Sequence, residues 1–394
     1  MSERNLDFDK ITDRYNTLSL KYDYAARRGM PEGLLPLWVA DIDFPTSSYI
    51  QDALKAQTEH GIFGYSEPLN SYFEALAGWM KSHHGYEFKN NETVRTPGIV
   101  MALAMAVKAF TKEGDGVLIQ TPVYYPFYEV IEDNRRVIVR NPLKQNEEGR
   151  YCIDFEDFEK KISENGIKLF LLCNPHNPGG SVWTAAELLK IGEICEKHGV
   201  IVVSDEIHAD YVFKGKHTVF EKVKESFKDF TITCTSPSKT FNLAGLQISN
   251  IFIKNPAIRR AFRKEIDAAG YSQLGVMGLV AAEAAYRHGE EWYLAAKKYI
   301  YDNILFTEEY IRKNIPGIKM IRPEGTYLVW LDCKGLGLSD DELDRLIINK
   351  ARLWLDSGKI FGDEGKGFQR INVAAPRKLI EQALGQLSAA VNTL

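Results

Sequence analysis

The chain reads as an α/β protein. A large domain is built on a mostly parallel, doubly wound sheet, and a smaller α/β C-terminal domain follows it. Three observations predict this. Short continuous apolar runs occur at residues 116–120, 168–173, 200–204, 230–235 and 248–253, as in strands buried on both faces. Longer stretches with helical spacing, such as 100–112 and 184–198, lie between several of them, which is the order of a parallel sheet covered by helices. The length of 394 residues exceeds the size at which one core stops growing, so two domains are expected.

Taken in order, residues 1–45 are mixed in character and punctuated by Pro and Gly, and read as an arm packing with the small domain. The first ten residues are polar and lack the apolar core of a secretory leader. Residues 46–290 form the large domain. Residues 256–312 are helical in pattern and include a long connecting helix, which the Pro316–Gly317 pair breaks. The smaller domain, 291–394, then reads as strand (326–332), helix (340–350), strand (368–373) and terminal helix (377–392). There is no internal repeat and no low-complexity tract.

Composition excludes several classes. With 45% hydrophobic and 26% charged residues the chain has an ordinary globular balance. A net charge of −4 offers no electrostatic reason to bind nucleic acid or an anionic membrane. No apolar stretch is long enough to span a bilayer. The five cysteines are scattered, without a C-x-x-C pair, and read as reduced thiols of a cytoplasmic protein.

In open sheets of this kind, ligands sit beyond the carboxyl ends of the strands. Three groups fall on that edge. Asn174 and Asn177, in N-P-H-N-P-G-G, follow the run ending at Cys173. Asp205, in S-D-E-I-H, follows the run ending at Ser204. Ser236, Ser238 and Lys239, in S-P-S-K-T-F-N-L-A-G-L-Q, follow the run ending near Thr235. Alone, a lysine after a strand is a solvated surface residue, an aspartate there is a helix cap, and N-P-H-N-P-G-G is a turn. Together they describe a site for pyridoxal 5′-phosphate (PLP). A lysine forms a Schiff base with the aldehyde, an aspartate pairs with the pyridinium nitrogen, and an asparagine hydrogen-bonds the phenolate oxygen.

Other residues join this reading. Ser236 and Ser238, with the backbone N–H groups of Gly98, Ile99 and Val100 opening an Ala-rich helical stretch, suit a phosphate. Tyr124, in T-P-V-Y-Y-P-F, suits stacking on the ring, although aromatics after strands are more often packing residues. Arg370, in F-Q-R-I-N-V, suits a carboxylate clamp; its alternative is a surface ion pair. His208 either approaches the ring or caps a turn. The His83–His84 pair has no companion ligand pattern and reads as a solvated helix end. G-D-E-G-K-G at 362–367 lacks phosphate-loop spacing and a preceding strand.

These residues resemble the fold type I, aspartate-aminotransferase-like PLP enzymes over essentially the whole chain. Within them the likeness is to the cystathionine β-lyase (C–S lyase) group known as MalY/PatB. Further segments carry it: D-R-Y-N-T-L-S-L-K-Y-D (13–23), L-P-L-W-V-A-D-I-D-F-P (35–45), F-G-Y-S-E-P (63–68) and Q-R-I-N-V-A-A-P-R (369–377). The resemblance implies the roles above for Lys239, Asp205, Asn177, Tyr124 and Arg370, and places Trp38 and Ala40 beside the substrate. It also implies a homodimer with shared active sites, in which Tyr65 reaches the neighbouring subunit's cofactor phosphate. The expected reaction is α,β-elimination on an S-substituted L-cysteine such as L-cystathionine, giving a thiol, pyruvate and ammonia. Ala40 and Gln247 stand where related aminotransferases carry glycine and arginine, and both look like the lyase group. An aminotransferase, and a PLP-binding protein whose main task is binding a regulatory partner, are the alternatives.

Overall fold

The computed structural model describes residues 6–394; residues 1–5 of the expected arm lie outside the described residues. The large sheet has seven strands: β1 (Thr93–Thr96), β2 (Gly116–Thr121), β3 (Val137–Pro142), β4 (Leu169–Cys173), β5 (Ile201–Asp205), β6 (Thr231–Thr235) and β7 (Ser249–Phe252). Their spatial order is β1-β7-β6-β5-β4-β2-β3. The central pairs are parallel, in register Leu118↔Phe170, Phe170↔Val202 and Val203↔Ile232. The expected doubly wound, mostly parallel sheet is therefore present. Strands β4 and β6 are buried along their whole length. Helices cover both faces and bury continuous apolar strands.

Three details differ from the sequence reading. Strand β7 runs antiparallel to both its neighbours, because the short connection at 236–248, with only a four-residue helix at Pro237–Thr240, returns the chain without a full crossover helix. Strands β1 and β3 are edges of only four and six residues. Beyond its exposed first residue, β3 alternates between buried and exposed positions, so it shows no continuous apolar run. Asp205 is the last residue of β5 rather than the first after it.

Helix Glu290–Asn314 is 25 residues long and leads to the second sheet. It ends just before Pro316, and Gly317 adopts a positive φ of 86° in the turn that follows. The second sheet is antiparallel, in the order β8 (Lys319–Ile321), β9 (Leu328–Asp332), β11 (Phe368–Asn372), β10 (Asp356–Ser357). Helix Arg377–Val391 closes the chain. Leu35–Pro36 of the arm pairs in parallel with Leu353–Trp354, so the arm adds to this half of the molecule. Among the described residues no helix is long and apolar enough to cross a membrane. All five cysteines are free thiols.

Candidate active site

The strand order reverses between β2 and β4. Chain order runs from β2 outward to β3 and then back to β4 on the other flank, which opens a crevice at their carboxyl ends. Tyr124 leaves β2 and Asn177 leaves β4, and the backbone N–H of Tyr124 donates to Asn177 O over 3.1 Å. The N–H of Asn174 donates to Asp205 O over 2.9 Å, aligning the next strand end. Gly98 is the N-cap of helix Ile99–Phe110. Ser236 caps the short helix Pro237–Thr240 by accepting the Ser238 N–H. Its Oγ also lies 2.7 Å from both Ser238 Oγ and Ile248 O.

Lys239 is half-buried in this crevice. Its Nζ donates to the carbonyl of Ala40 over 2.7 Å, and the hydroxyl of buried Tyr327 donates to the same oxygen over 3.1 Å. Ala40 thus acts through its backbone. Burial disfavours the ammonium and brings the amine down to about 8; Asp41 and Asp205 work against this, while Arg370 adds to it. An amine in that range loses its proton readily.

Asp205 is buried, and its Oδ1 accepts the Ile207 N–H at 3.1 Å. Burial pushes its carboxyl up to about 7, against the pull of that N–H and of the Lys239 charge. His208 is buried, with its ring 6.0 Å from that of Tyr327. Burial, followed by the charges of Lys239 and Arg370, holds the imidazole well below its usual range, so it is neutral. Its Nδ1 has no hydrogen-bond partner among the described residues. Tyr124 is partly buried, and burial raises its phenol.

Arg370 is 2% exposed on β11. Its Nη1 donates to Asn177 Oδ1 over 2.9 Å and its Nη2 to Trp38 O over 3.1 Å. Asp356, its cross-strand partner on β10, pairs with Nη2. The guanidinium lies over the Phe361 ring, 4.8 Å from the centroid. Its Nε is buried without a partner among the described residues. With its oxygen engaged by Arg370, the Asn177 amide keeps its N–H groups as the donors for an acceptor in the crevice. Trp38 stacks on Trp354 with centroids 4.5 Å apart.

Lys239, Asp205, Asn177, Tyr124, His208, Arg370, Trp38 and Ala40 thus cluster at one crevice, with Ser236, Ser238 and the Gly98–Ile99–Val100 helix start placed at neighbouring strand ends. Tyr65 does not join them within this chain. It is 97% exposed in a segment without regular structure, beside exposed Ile62, Phe63 and Leu69. The reading of His83–His84 as a solvated helix end needs correction. His84 is buried and its Nε2 lies 2.9 Å from Asp210 Oδ1, while the His83 ring stacks 3.8 Å from Trp79. Asp210 is distant in sequence, so no local spacing signals the pair. Asp41, Asp356 and Tyr327 were also missed as site residues. Asp41 stands in the L-P-L-W-V-A-D-I-D-F-P segment at 35–45; the other two carry no local mark.

The chain is 42% identical to cystathionine β-lyase PatB of Bacillus subtilis (strain 168), over 98% of this chain and 100% of the relative. It is 34% identical to protein MalY of Escherichia coli (strain K12), over 98% and 99%. The crystal structure of cystalysin from Treponema denticola, which contains a pyridoxal 5′-phosphate cofactor, superposes with a TM-score of 0.94 at 39% identity, covering 98% of this chain and 99% of that one. The family model for aminotransferase class I and II matches residues 36–387, and the chain belongs to that family.

Proposed function

We propose that the chain is a PLP-dependent carbon–sulfur β-lyase of the cystathionine β-lyase type. It acts by α,β-elimination on L-cystathionine or other S-substituted L-cysteines. The observation that carries this reading is the full-length 42% identity to a cystathionine β-lyase, with Lys239, Asp205, Asn177 and Arg370 gathered at one crevice.

The residues present fit the cofactor. Asp205 is a buried carboxylate whose hydrogen-bond donor is a backbone N–H, and a protonated pyridine nitrogen would supply its counter-charge. His208 Nδ1 and Arg370 Nε are buried polar atoms without partners among the described residues, as expected beside a polar ligand. Bound here, PLP supplies an electron sink for the charge left at the substrate's Cα when its proton departs.

The chain's own residues do the rest. Lys239 would bind the cofactor's aldehyde end and, when free, would take the substrate's α-proton. Asp205 would hold the proton on the ring nitrogen, and Asn177 would donate to the phenolate oxygen. Ser236, Ser238 and the N–H groups of Gly98, Ile99 and Val100 would hold the phosphate. Tyr124 would pack against the ring, with His208 nearby. Arg370 grips the substrate carboxylate beside Trp38 and Ala40. Lys239 then returns its proton to the departing thiolate. Hydrolysis of the released enamine gives pyruvate and ammonia.

The same reading makes the working form a homodimer, with Tyr65 reaching the neighbouring subunit's phosphate. The exposed apolar residues Ile62, Phe63, Tyr65 and Leu69 support it, since a patch of this kind fits a subunit interface. It divides the chain into an arm (1–45), a cofactor-binding domain (46–290) and a small domain (291–394), supported by the separate antiparallel sheet. Free thiols suit the cytoplasm.

Amino transfer shares every step up to loss of the α-proton, and the family model favours it as the second reading. Holoenzyme given L-cystathionine and no keto acid separates the two. Pyruvate release over many turnovers is expected; turnover only after a keto acid is added would overturn the lyase reading.

A further inference from the structure

The arm motif at 13–23 and the strap at 38–44 carry charges that the reaction above leaves unused. The strap lies between the two halves of the molecule. Asn372 of β11 donates to the carbonyls of Val39 (2.7 Å) and Asp41 (2.6 Å). On the other side Asn242 accepts the Ile42 N–H at 3.0 Å and donates to Ile42 O at 2.8 Å. The strap is therefore rigidly placed, with Ala40 at its centre accepting from Lys239.

Two strap carboxylates meet two arm cations. Arg14 bridges them, with Nη2 2.6 Å from Asp41 Oδ2 and Nη1 2.6 Å from Asp43 Oδ1. Lys21 is fully buried, with Nζ 2.5 Å from Asp43 Oδ2 and 3.4 Å from Asp41 Oδ1. Tyr22 adds its phenol beside Asp43. Buried ion pairs hold a segment no better than apolar packing would, because desolvation offsets most of their attraction. Their charge is what distinguishes them. Asp41 adjoins Ala40, and it is the anion that favours the Lys239 ammonium most strongly. The other charged groups acting on Lys239 are Arg370 and Asp205, and His208, neutral, feels the Lys239 charge.

We propose that Asp41 is a positioning residue for Lys239: Arg14 and Lys21 of the arm fix how much of the Asp41 charge reaches the lysine nitrogen, and so set the proton occupancy of that nitrogen. The inference holds for elimination and for amino transfer alike, since both begin at the same nitrogen.

PLP-loaded enzyme tests it without reference to activity. The visible band of the cofactor joined to Lys239 changes as the linking nitrogen loses its proton, so a pH titration gives a midpoint. Asp41→Asn removes an anion and lowers the midpoint. Arg14→Gln uncovers the same anion and raises it. Each shift should be about 0.5–1 pH unit, the scale for a partly compensated neighbouring charge. Arg14→Lys keeps the charge and leaves the midpoint close to wild type. In an Asp41→Asn background the Arg14→Gln shift shrinks, because the two residues act through one charge. Midpoints that stay put in both single variants, or that move in the same direction, overturn the proposal. Should Arg14→Gln fail to fold, the near-isosteric Asp41→Asn decides alone, and an unmoved midpoint there is equally fatal.

Discussion

Arg370 on the small antiparallel sheet donates to the side chain of Asn177 in the large one over 2.9 Å, across 193 residues of sequence. The bond ties the small sheet to the large one at the crevice and orients the Asn177 amide. On the proposed reading, the position of β11 would therefore be felt at the cofactor.

Replacing Arg370 should therefore have two effects. Arg370→Ala leaves Asp356 buried without its cation, which should cost about 3–5 kcal/mol of stability. Adding Asp356→Ala should recover part of that in denaturant unfolding. Substrate binding should weaken as well. For Arg370→Lys, which keeps the charge but loses the planar fork, KM should rise on the order of 10-fold, or ~1.4 kcal/mol. An unchanged KM would remove Arg370 from the substrate site.

Asp205 makes stability depend on pH in a definite direction. Its folded-state carboxyl is raised to about 7, so between the unfolded value and 7 the native state holds the extra proton. Below that window the group costs nothing. As pH rises through it, ionising the buried acid removes stability from the cofactor-free protein. Cofactor-free Asp205→Asn should thus match wild type near pH 4 and exceed it by about 1–4 kcal/mol near pH 8. Loading PLP should erase that advantage. Parallel thermal melts of both proteins check the sign.

Lys239 should be the most reactive lysine of the cofactor-free protein near neutral pH, because burial brings its amine down to about 8. Acylation followed by peptide mass spectrometry should give a half-maximal rate near that pH, whereas exposed lysines titrate near about 10.4. Lys239→Ala should lower kcat by at least about 10³-fold with an unchanged circular dichroism spectrum. Near-normal turnover would remove it from the mechanism.

On the proposed homodimer with shared active sites, a mixing experiment is decisive. A Tyr65→Ala homodimer and a Lys239→Ala homodimer should both be impaired. Unfolded and refolded together, they should regain part of the wild-type rate, since one site of each hybrid carries both residues. No gain over the separate proteins, with hybrids present by mass spectrometry, would show that Tyr65 serves no neighbouring site.

Much of the fold was legible because the central strands are buried on both faces and leave continuous apolar runs, as in Leu169–Cys173. Edge strand Val137–Pro142 alternates in exposure over most of its length and left no such run. Lys239, Asp205 and Asn177 were legible because each stands at the end of a recognisable strand, and in a parallel sheet those ends share one edge. Chain order alone thus determined the central parallel strands, the edge at their carboxyl ends and the residues that leave it. Which charges meet there was decided by tertiary structure. Asp356 reaches Arg370 through a two-residue strand pairing, His84 at the end of helix Asn70–His84 reaches Asp210 in a distant turn, and Arg14 and Lys21 reach Asp41 from an arm folded back onto the strap. Electrostatic partners need only proximity in space. They leave no periodicity in the sequence, whereas burial of a strand leaves one at every residue.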